Sequence, residues 1–217
     1  MNFRAVIFDL DGTLLNTLAD LANAHNRVLT ELGLPGHAKD AYRNFIGNGA
    51  RKCIERSLPK EHRNKELIEQ GLVIQKREYA RNWHENTKPY EGIDDLLEEL
   101  RQKHVRLAVL SNKDDSFTRQ CMAFFFGPTA FDKIQGFSEE VPPKPDARGA
   151  LMVADYLRIT PPEILFLGDS EVDIATAIAA GMYPAGALWG FRSQRELVTA
   201  GAKCTLDRPL ELLRYFR

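Results

Sequence analysis

Cysteine is scarce: Cys53, Cys121 and Cys204 are the only three in 217 residues, far apart and without a CxxC pair. An odd, scattered set builds no disulfide framework and offers no thiolate zinc site. Long apolar runs are missing as well, since no stretch approaches the roughly 18 consecutive apolar residues of a membrane helix. Met1-Asn2-Phe3-Arg4 runs directly into a short apolar segment rather than a secretory leader, so the expected address is the cytoplasm. Nor is there an excess of charge of either sign. The 29 Lys and Arg residues against 30 Asp and Glu argue against binding nucleic acid or an anionic membrane surface, both of which need a clear positive excess. What is present, 44% hydrophobic and 27% charged residues, is the composition of a chain that folds, and its length allows one to two domains.

Residues 4–8, Arg-Ala-Val-Ile-Phe, form a short run of strand formers that stops at Asp9. Val105 to Leu110, Lys133 to Phe137, Ile164 to Leu167 and Pro184 to Leu188 repeat the theme. Between them lie amphipathic patterns at Ile93 to Lys103, Ser116 to Phe126, Ala147 to Leu157 and Val172 to Ala180. Strands alternating with helices of this length imply crossover units: a three-layer α/β/α, Rossmann-like parallel-sheet core covered on both faces. Ser193 to Glu196 has capping-box spacing for a late helix, whereas Thr160 to Glu163 has that spacing before a strand and reads as a turn. From Thr17 to Lys88 the alternation breaks. Leu18, Leu21, Val28 and Leu32 make one helical stripe, Ile68, Leu72, Tyr79 and Trp83 another, and no strand is expected there. The expected organisation is therefore a core of residues 1–16 and 89–217 with a helical insert, 17–88. His25 reads as a packed histidine of the first stripe and Lys60 to Lys65 as a solvated helix start.

In an open parallel sheet, ligands bind beyond the carboxyl ends of the strands, so the residues that follow each apolar run matter. After the first run comes Asp9-Leu10-Asp11-Gly12-Thr13, after the second Ser111-Asn112-Lys113, and after the fourth Gly168-Asp169-Ser170-Glu171-Val172-Asp173. Pro143-Lys144-Pro145 precedes the helix that leads to the fourth. Any one of these is explained by the habit of aspartates to form turns and caps. Four in order on one sheet edge are not. Carboxylates gathered there repel one another and rise in pKa unless a cation is present, and hard oxygen ligands of this kind suit magnesium.

The order DxDGT, Ser-Asn, Lys-Pro, GDSxxD resembles that of the haloacid dehalogenase superfamily of phosphohydrolases, along essentially the whole chain. The insert is similar to that superfamily's helical cap. Within it the chain looks most like the phosphoglycolate phosphatases, on Phe45 to Ala50, Glu55 to Leu58, Ser111 to Lys113 and Trp189-Gly190-Phe191. The resemblance implies that Asp9 is a nucleophile forming a phosphoaspartyl intermediate and Asp11 a general acid and base. It implies magnesium held by Asp9, the Asp11 main-chain carbonyl and Asp169, with Asp173 outside the inner ligands. Ser111, the Asn112 N–H and Lys144 are expected on the phosphoryl oxygens, and Lys144 also on Asp9. For Lys113, helix-start electrostatics and function are equally open. In the cap, Gly47-Asn48-Gly49 and Arg56 are the candidates to read a substrate carboxylate, while Arg51 reads as solvated.

The expected partner is a small phosphorylated metabolite such as 2-phosphoglycolate, bound by a monomer or homodimer. Pyrophosphatase, sugar phosphatase and nucleotidase activities stay open, because residues at the catalytic edge do not encode the leaving group. A beta-phosphoglucomutase-like enzyme is disfavoured by Gly-Thr after Asp11, and a dehalogenase because displacing a halide gives Asp11 no work. A phosphoacceptor signalling module would share the strand-end acids but usually lacks a cap.

Overall fold

The structure is a computed structural model, and it describes residues 3–216. The chain divides into two compact units, Met1–Leu15 with Pro89–Arg217, and Asn16–Lys88. In chain order the elements are β1 (Ala5–Phe8), β2 (Leu15–Asn16), α1 (Leu18–Glu31), α2 (Gly49–Ser57), α3 (Lys65–Asn82), β3 (Lys88–Pro89), α4 (Ile93–Gln102) and β4 (Arg106–Asp114). There follow α5 (Asp115–Phe126), β5 (Lys133–Phe137), α6 (Arg148–Leu157), β6 (Ile164–Gly168), α7 (Glu171–Ala179), β7 (Tyr183–Ala187), α8 (Gln194–Thr199) and β8 (Cys204–Leu206).

Six strands form one sheet in the order β5-β4-β1-β6-β7-β8, all pairs parallel. Every residue of β1 and β6 is buried, so both faces of the sheet are covered. On one face Ala5 and Ile7 pack with Ala108, Leu110, Ile164 and Phe166 against Ala150, Val153 and Leu157 of α6 and Ala177 of α7. Each fully buried Ile, Leu or Phe contributes roughly 1.5–3 kcal/mol, so this layer fixes the strand ends where the polar motifs begin. The helices follow from their spacing. Ile93, Leu96, Leu97 and Leu100 are the buried face of α4, which starts from Gly92 at φ 83°. Ser193 and Glu196 make the expected capping box on α8.

The helical unit has its own core, in which Leu29, Ile54, Leu58 and Ile68 meet Leu32, Leu34, Leu67 and Leu72. A methyl group on Gly71 would lie 2.9 Å from Ile54 Cγ2 and 3.2 Å from Val28 Cγ1, so glycine is what lets α3 pack this close. His25 is buried, its Nδ1 2.8 Å from the Leu21 carbonyl oxygen and its ring against Tyr42, a packed histidine as expected. Asp20, in the first turn of α1, is also buried. It accepts from Asn86 N at 2.9 Å, Asn86 Nδ2 at 2.7 Å, Thr87 N at 2.8 Å and Thr87 Oγ1 at 2.7 Å, which ties the start of the unit to its end.

Several elements depart from expectation. β4 runs to Asp114 instead of stopping at Leu110, because after a shift of register its pairing with β5 resumes at Asp114 opposite Phe137. β2, β3 and β8 are too short to carry a periodic signal, α2 buries only Cys53, Ile54 and Ser57, and β3 starts at Lys88, within the stretch expected to hold no strand. Lys60–His62 is a 3-10 turn, and α3 starts after Asn64, whose side chain accepts from Leu67 N. The turn expected at Thr160 to Glu163 is there, as a single 3-10 turn over Pro161–Glu163 pinned by the Thr160 hydroxyl donating to Glu163. Among the described residues no helix is long and apolar enough to cross a membrane.

Candidate active site

The chain leaves β1 for β4 and β5 on one side, then returns to β6 on the other, so the carboxyl end of β1 is the switch point where a parallel sheet opens a crevice. Asp9 sits there, its N–H donating to Leu167 O of β6 at 2.9 Å. The next residues turn tightly, with Leu14 N and Leu15 N both 3.0 Å from Leu10 O, and Gly12 takes φ 95°. Leu10 is fully buried, so Asp9 and Asp11 flank an anchor.

Lys144 joins the first of these aspartates to the far end of the GDSxxD segment. Its Nζ lies 2.7 Å from Asp9 Oδ1 and 2.5 Å from Asp173 Oδ1, with all three side chains buried. Burial and the Asp173 charge push the Asp9 carboxyl up from 3.8 to about 7, against the pull of Lys144. Burial by itself depresses an ammonium, yet the charges of Asp173 and Asp9 hold Lys144 above the usual lysine range. Asp173 spends its other oxygen on the cap of α7, accepting from Ser170 N at 3.0 Å and Ser170 Oγ at 2.6 Å.

Asp169 is packed from three directions. It accepts from Thr13 Oγ1 at 3.4 Å and from Phe191 N at 2.7 Å. A Cβ on Gly12 would lie 2.9 Å from its Oδ1, and one on Gly190 would press on its Cβ and lie 2.5 Å from Gly12 O. Trp189 Nε1 closes the arrangement by donating to Thr13 O at 2.9 Å. Burial first, then the charges of Asp173 and Asp9, raise the Asp169 carboxyl well above the carboxylate range. One carboxylate oxygen from each of Asp9, Asp169 and Asp173 lies within 4.8 Å of the others. Of these three buried acids, Asp9 and Asp173 pair with the ammonium of Lys144, and together the three make a set of hard oxygen donors that suits a further cation.

Asp11 stands apart from that trio. Lys113 Nζ lies 2.8 Å from each of its oxygens, and both side chains are largely buried. Ser111 Oγ accepts from Lys113 N at 3.2 Å. The side chain of Asn112 is engaged twice: Nδ2 donates to Lys144 O at 3.1 Å, and Oδ1 accepts from Lys144 N at 2.7 Å. Sequence reasoning assigns only the Asn112 main chain, leaves Lys113 open and gives Trp189 to Phe191 no site role. A glycine between aromatics just beyond the last long strand is the available signal for the last of these.

In the helical unit, Arg56 donates to Phe45 O at 3.1 Å and to Asn48 Oδ1 at 2.7 Å, so it fastens the loop that carries Gly47 at φ 119° and Gly49 at φ 81°. Arg51 pairs with Glu69 on the exposed surface.

A parallel sheet with acids and lysines gathered at its switch point places the chain among the α/β proteins that bind a ligand at that edge. Residues 6–187 match the model of the haloacid dehalogenase-like hydrolase family, and the chain belongs to that family. A phosphoglycolate phosphatase of Pseudomonas putida is 35% identical over 208 residues, which cover 94% of this chain and 76% of the relative. One from Aquifex aeolicus is 32% identical over 211 residues, 97% and 95% of the two chains. The solved structure of a haloacid dehalogenase-like family hydrolase from Streptococcus pneumoniae superposes with a TM-score of 0.90 at 27% identity, covering 99% of each chain.

Proposed function

We propose that this chain is a magnesium-dependent phosphomonoester hydrolase that works through a phosphoaspartyl intermediate on Asp9, with a small phosphorylated acid such as 2-phosphoglycolate as substrate. The observation that carries the reading is the division of two aspartates, two residues apart, between two lysines: Lys144 on Asp9 and Lys113 on Asp11. The names of the Pseudomonas and Aquifex relatives support the substrate.

Asp9, the Asp11 main-chain carbonyl and Asp169 would hold the metal, and the buried, hard-oxygen donor set fits magnesium. Asp173 forms an ion pair with Lys144 and caps α7 as well, which supports a place outside the inner ligands. When bound, magnesium neutralises charge so that one anion can approach another. An Asp9 oxygen attacks phosphorus, the ester P–O bond breaks, and Asp11 passes its proton to the departing oxygen. Asp11, now a carboxylate, then takes a proton from water. The water oxygen bonds to phosphorus and the Asp9–P bond breaks, which releases phosphate and restores both aspartates. Ser111, the Asn112 N–H and Lys144 hold the phosphoryl oxygens.

Residues 17–88 serve as the helical cap inserted into a core of residues 1–16 and 89–217. Gly47-Asn48-Gly49, with glycines that let N–H groups approach a small anion, and Arg56, which already fixes Asn48, read the substrate's carboxylate. The enzyme works in the cytoplasm, as a monomer or homodimer. The test is phosphate release from 2-phosphoglycolate, pyrophosphate, sugar phosphates and nucleotides, with magnesium and with chelator. Release that chelation stops and excess magnesium restores, strongest on 2-phosphoglycolate, is the expected result. Chelator-insensitive release, or none from any ester, overturns the reading.

A further inference from the structure

Lys113 is built into place more firmly than a surface lysine at a helix start. It lies near the end of β4, its N–H donates to Ser111 Oγ at 3.2 Å, and its carbonyl accepts from Thr118 Oγ1 at 3.2 Å. The following residue, Asp114, caps α5 by accepting from Ser116 N at 3.0 Å. The backbone is therefore held from both sides, and only 6% of the side chain is exposed. Acids next to it in sequence, Asp114 and Asp115, are committed to the α5 cap and to Arg119 and Gly136. The ammonium goes instead to a residue 102 positions away, donating to both oxygens of Asp11.

We infer that Lys113 is the positioning residue of Asp11, aiming its carboxyl group through both halves of the reaction. The inference rests on the hydrolase reading above. A general acid or base has to stand within about 2.6–3.2 Å of the proton it moves, and an aspartate on an exposed rotor does not hold that geometry. Both Asp11 oxygens face the lysine, the arrangement that a proton-accepting carboxylate needs. In the proton-donating form one oxygen carries the proton to the leaving group while the other still accepts from Nζ, so one contact orients both forms. Phosphate binding is the competing account of Lys113, and what separates the two is the partner: the Lys113 ammonium bonds both oxygens of Asp11, the group that moves the proton, whereas Lys144 bonds Asp9 and Asp173.

A positioning role for the acid makes a prediction that a structural or phosphate-binding role does not. An alkyl phosphate needs its leaving oxygen protonated, whereas 2,4-dinitrophenyl phosphate, with a stable leaving anion, does not. Because kcat/KM reports steps up to phosphorylation of Asp9, it isolates the acid half-reaction. The experiment compares kcat/KM of wild type and Lys113→Met, which keeps the side chain's bulk, on an alkyl phosphate and on the dinitrophenyl ester, with thermal melting as the check on folding. The expected result is a loss of about 100-fold on the alkyl ester and of less than about threefold on the dinitrophenyl ester. Turnover of the latter should slow after a burst of dinitrophenol, since water attack again needs Asp11. Lys113→Gln, which keeps one neutral donor and covers the case in which the methionine variant does not fold, should show the same split in smaller measure. Equal losses on both esters, or no loss on either, would overturn the inference while leaving the hydrolase reading intact. A wild-type protein that releases phosphate from neither overturns both.

Discussion

Asn112 and Lys144 exchange a pair of hydrogen bonds across 32 residues, side-chain amide to main-chain carbonyl at 3.1 Å and main-chain N–H to side-chain oxygen at 2.7 Å. The amide thus fixes the backbone from which Lys144 reaches Asp9 and Asp173. Asn112→Ala leaves two buried main-chain groups unpaired, a loss of about 1–3 kcal/mol. Thermal or urea unfolding should show that loss, and phosphate release should fall with it because Lys144 is no longer aimed. A variant with unchanged stability and rate would show the exchange to be idle.

Gly190→Ala should act on the metal rather than the phosphate. The added methyl would press on Asp169 and lie 2.5 Å from Gly12 O, so the loop that donates Phe191 N–H must shift. Displacing a partner of a metal-holding carboxylate typically costs about 10–100-fold in affinity. Titration calorimetry with magnesium reads the change directly, and an affinity equal to wild type would contradict it.

The pH dependence of stability follows from Asp9 and Asp169. Both fold with carboxyls raised above their usual 3.8, Asp9 to about 7 and Asp169 in the same direction. For Asp9 the folded state binds more protons than the unfolded state between about 4 and 7, so stability falls as pH rises through that window and the cost is fully present above it, and Asp169 adds to the cost with the same sign. In chelator, the melting temperature should be higher near pH 5.5 than near pH 8. Magnesium should raise it more at the higher pH, where the carboxylates it must meet are ionised. A metal-induced shift that is larger in acid would reverse the sign of the argument.

Much of this site is legible in the amino-acid sequence, for a physical reason. Strand formers that stop abruptly at an acid mark both the sheet and the edge on which Asp9 and Asp169 stand, whereas Lys144, between two prolines, is picked out only through the family resemblance. What escapes depends on closure of the sheet. The pairing of Lys113 with Asp11 and of Asn112 with Lys144 arises because β1, β4 and the loop before α6 end together, and no local pattern encodes it. β4 reads short because its last four residues, Ser111 to Asp114, are polar although they continue the strand. α2 escapes because nine residues bury only Cys53, Ile54 and Ser57. Asp20, placed in a helix by the pattern of its neighbours, gives no sign that Asn86 and Thr87 close on it.

That last contact is testable within the helical unit. Asp20→Ala removes the acceptor of two main-chain and two side-chain donors at once, so a loss of roughly 2–3 kcal/mol is expected. Limited proteolysis should cut first around Asn86 and Thr87, and an unchanged cleavage pattern would show that the segment is held by other means.

The central claim is that Asp9 carries the phosphoryl group. Wild-type protein mixed with 2-phosphoglycolate and magnesium, quenched in acid and digested, should yield by mass spectrometry a peptide bearing one phosphoryl group on Asp9. Freshly purified Asp9→Asn should yield none and release no phosphate while melting as a folded protein. A phosphoryl group found on another residue, or near-normal turnover by Asp9→Asn, would contradict the account.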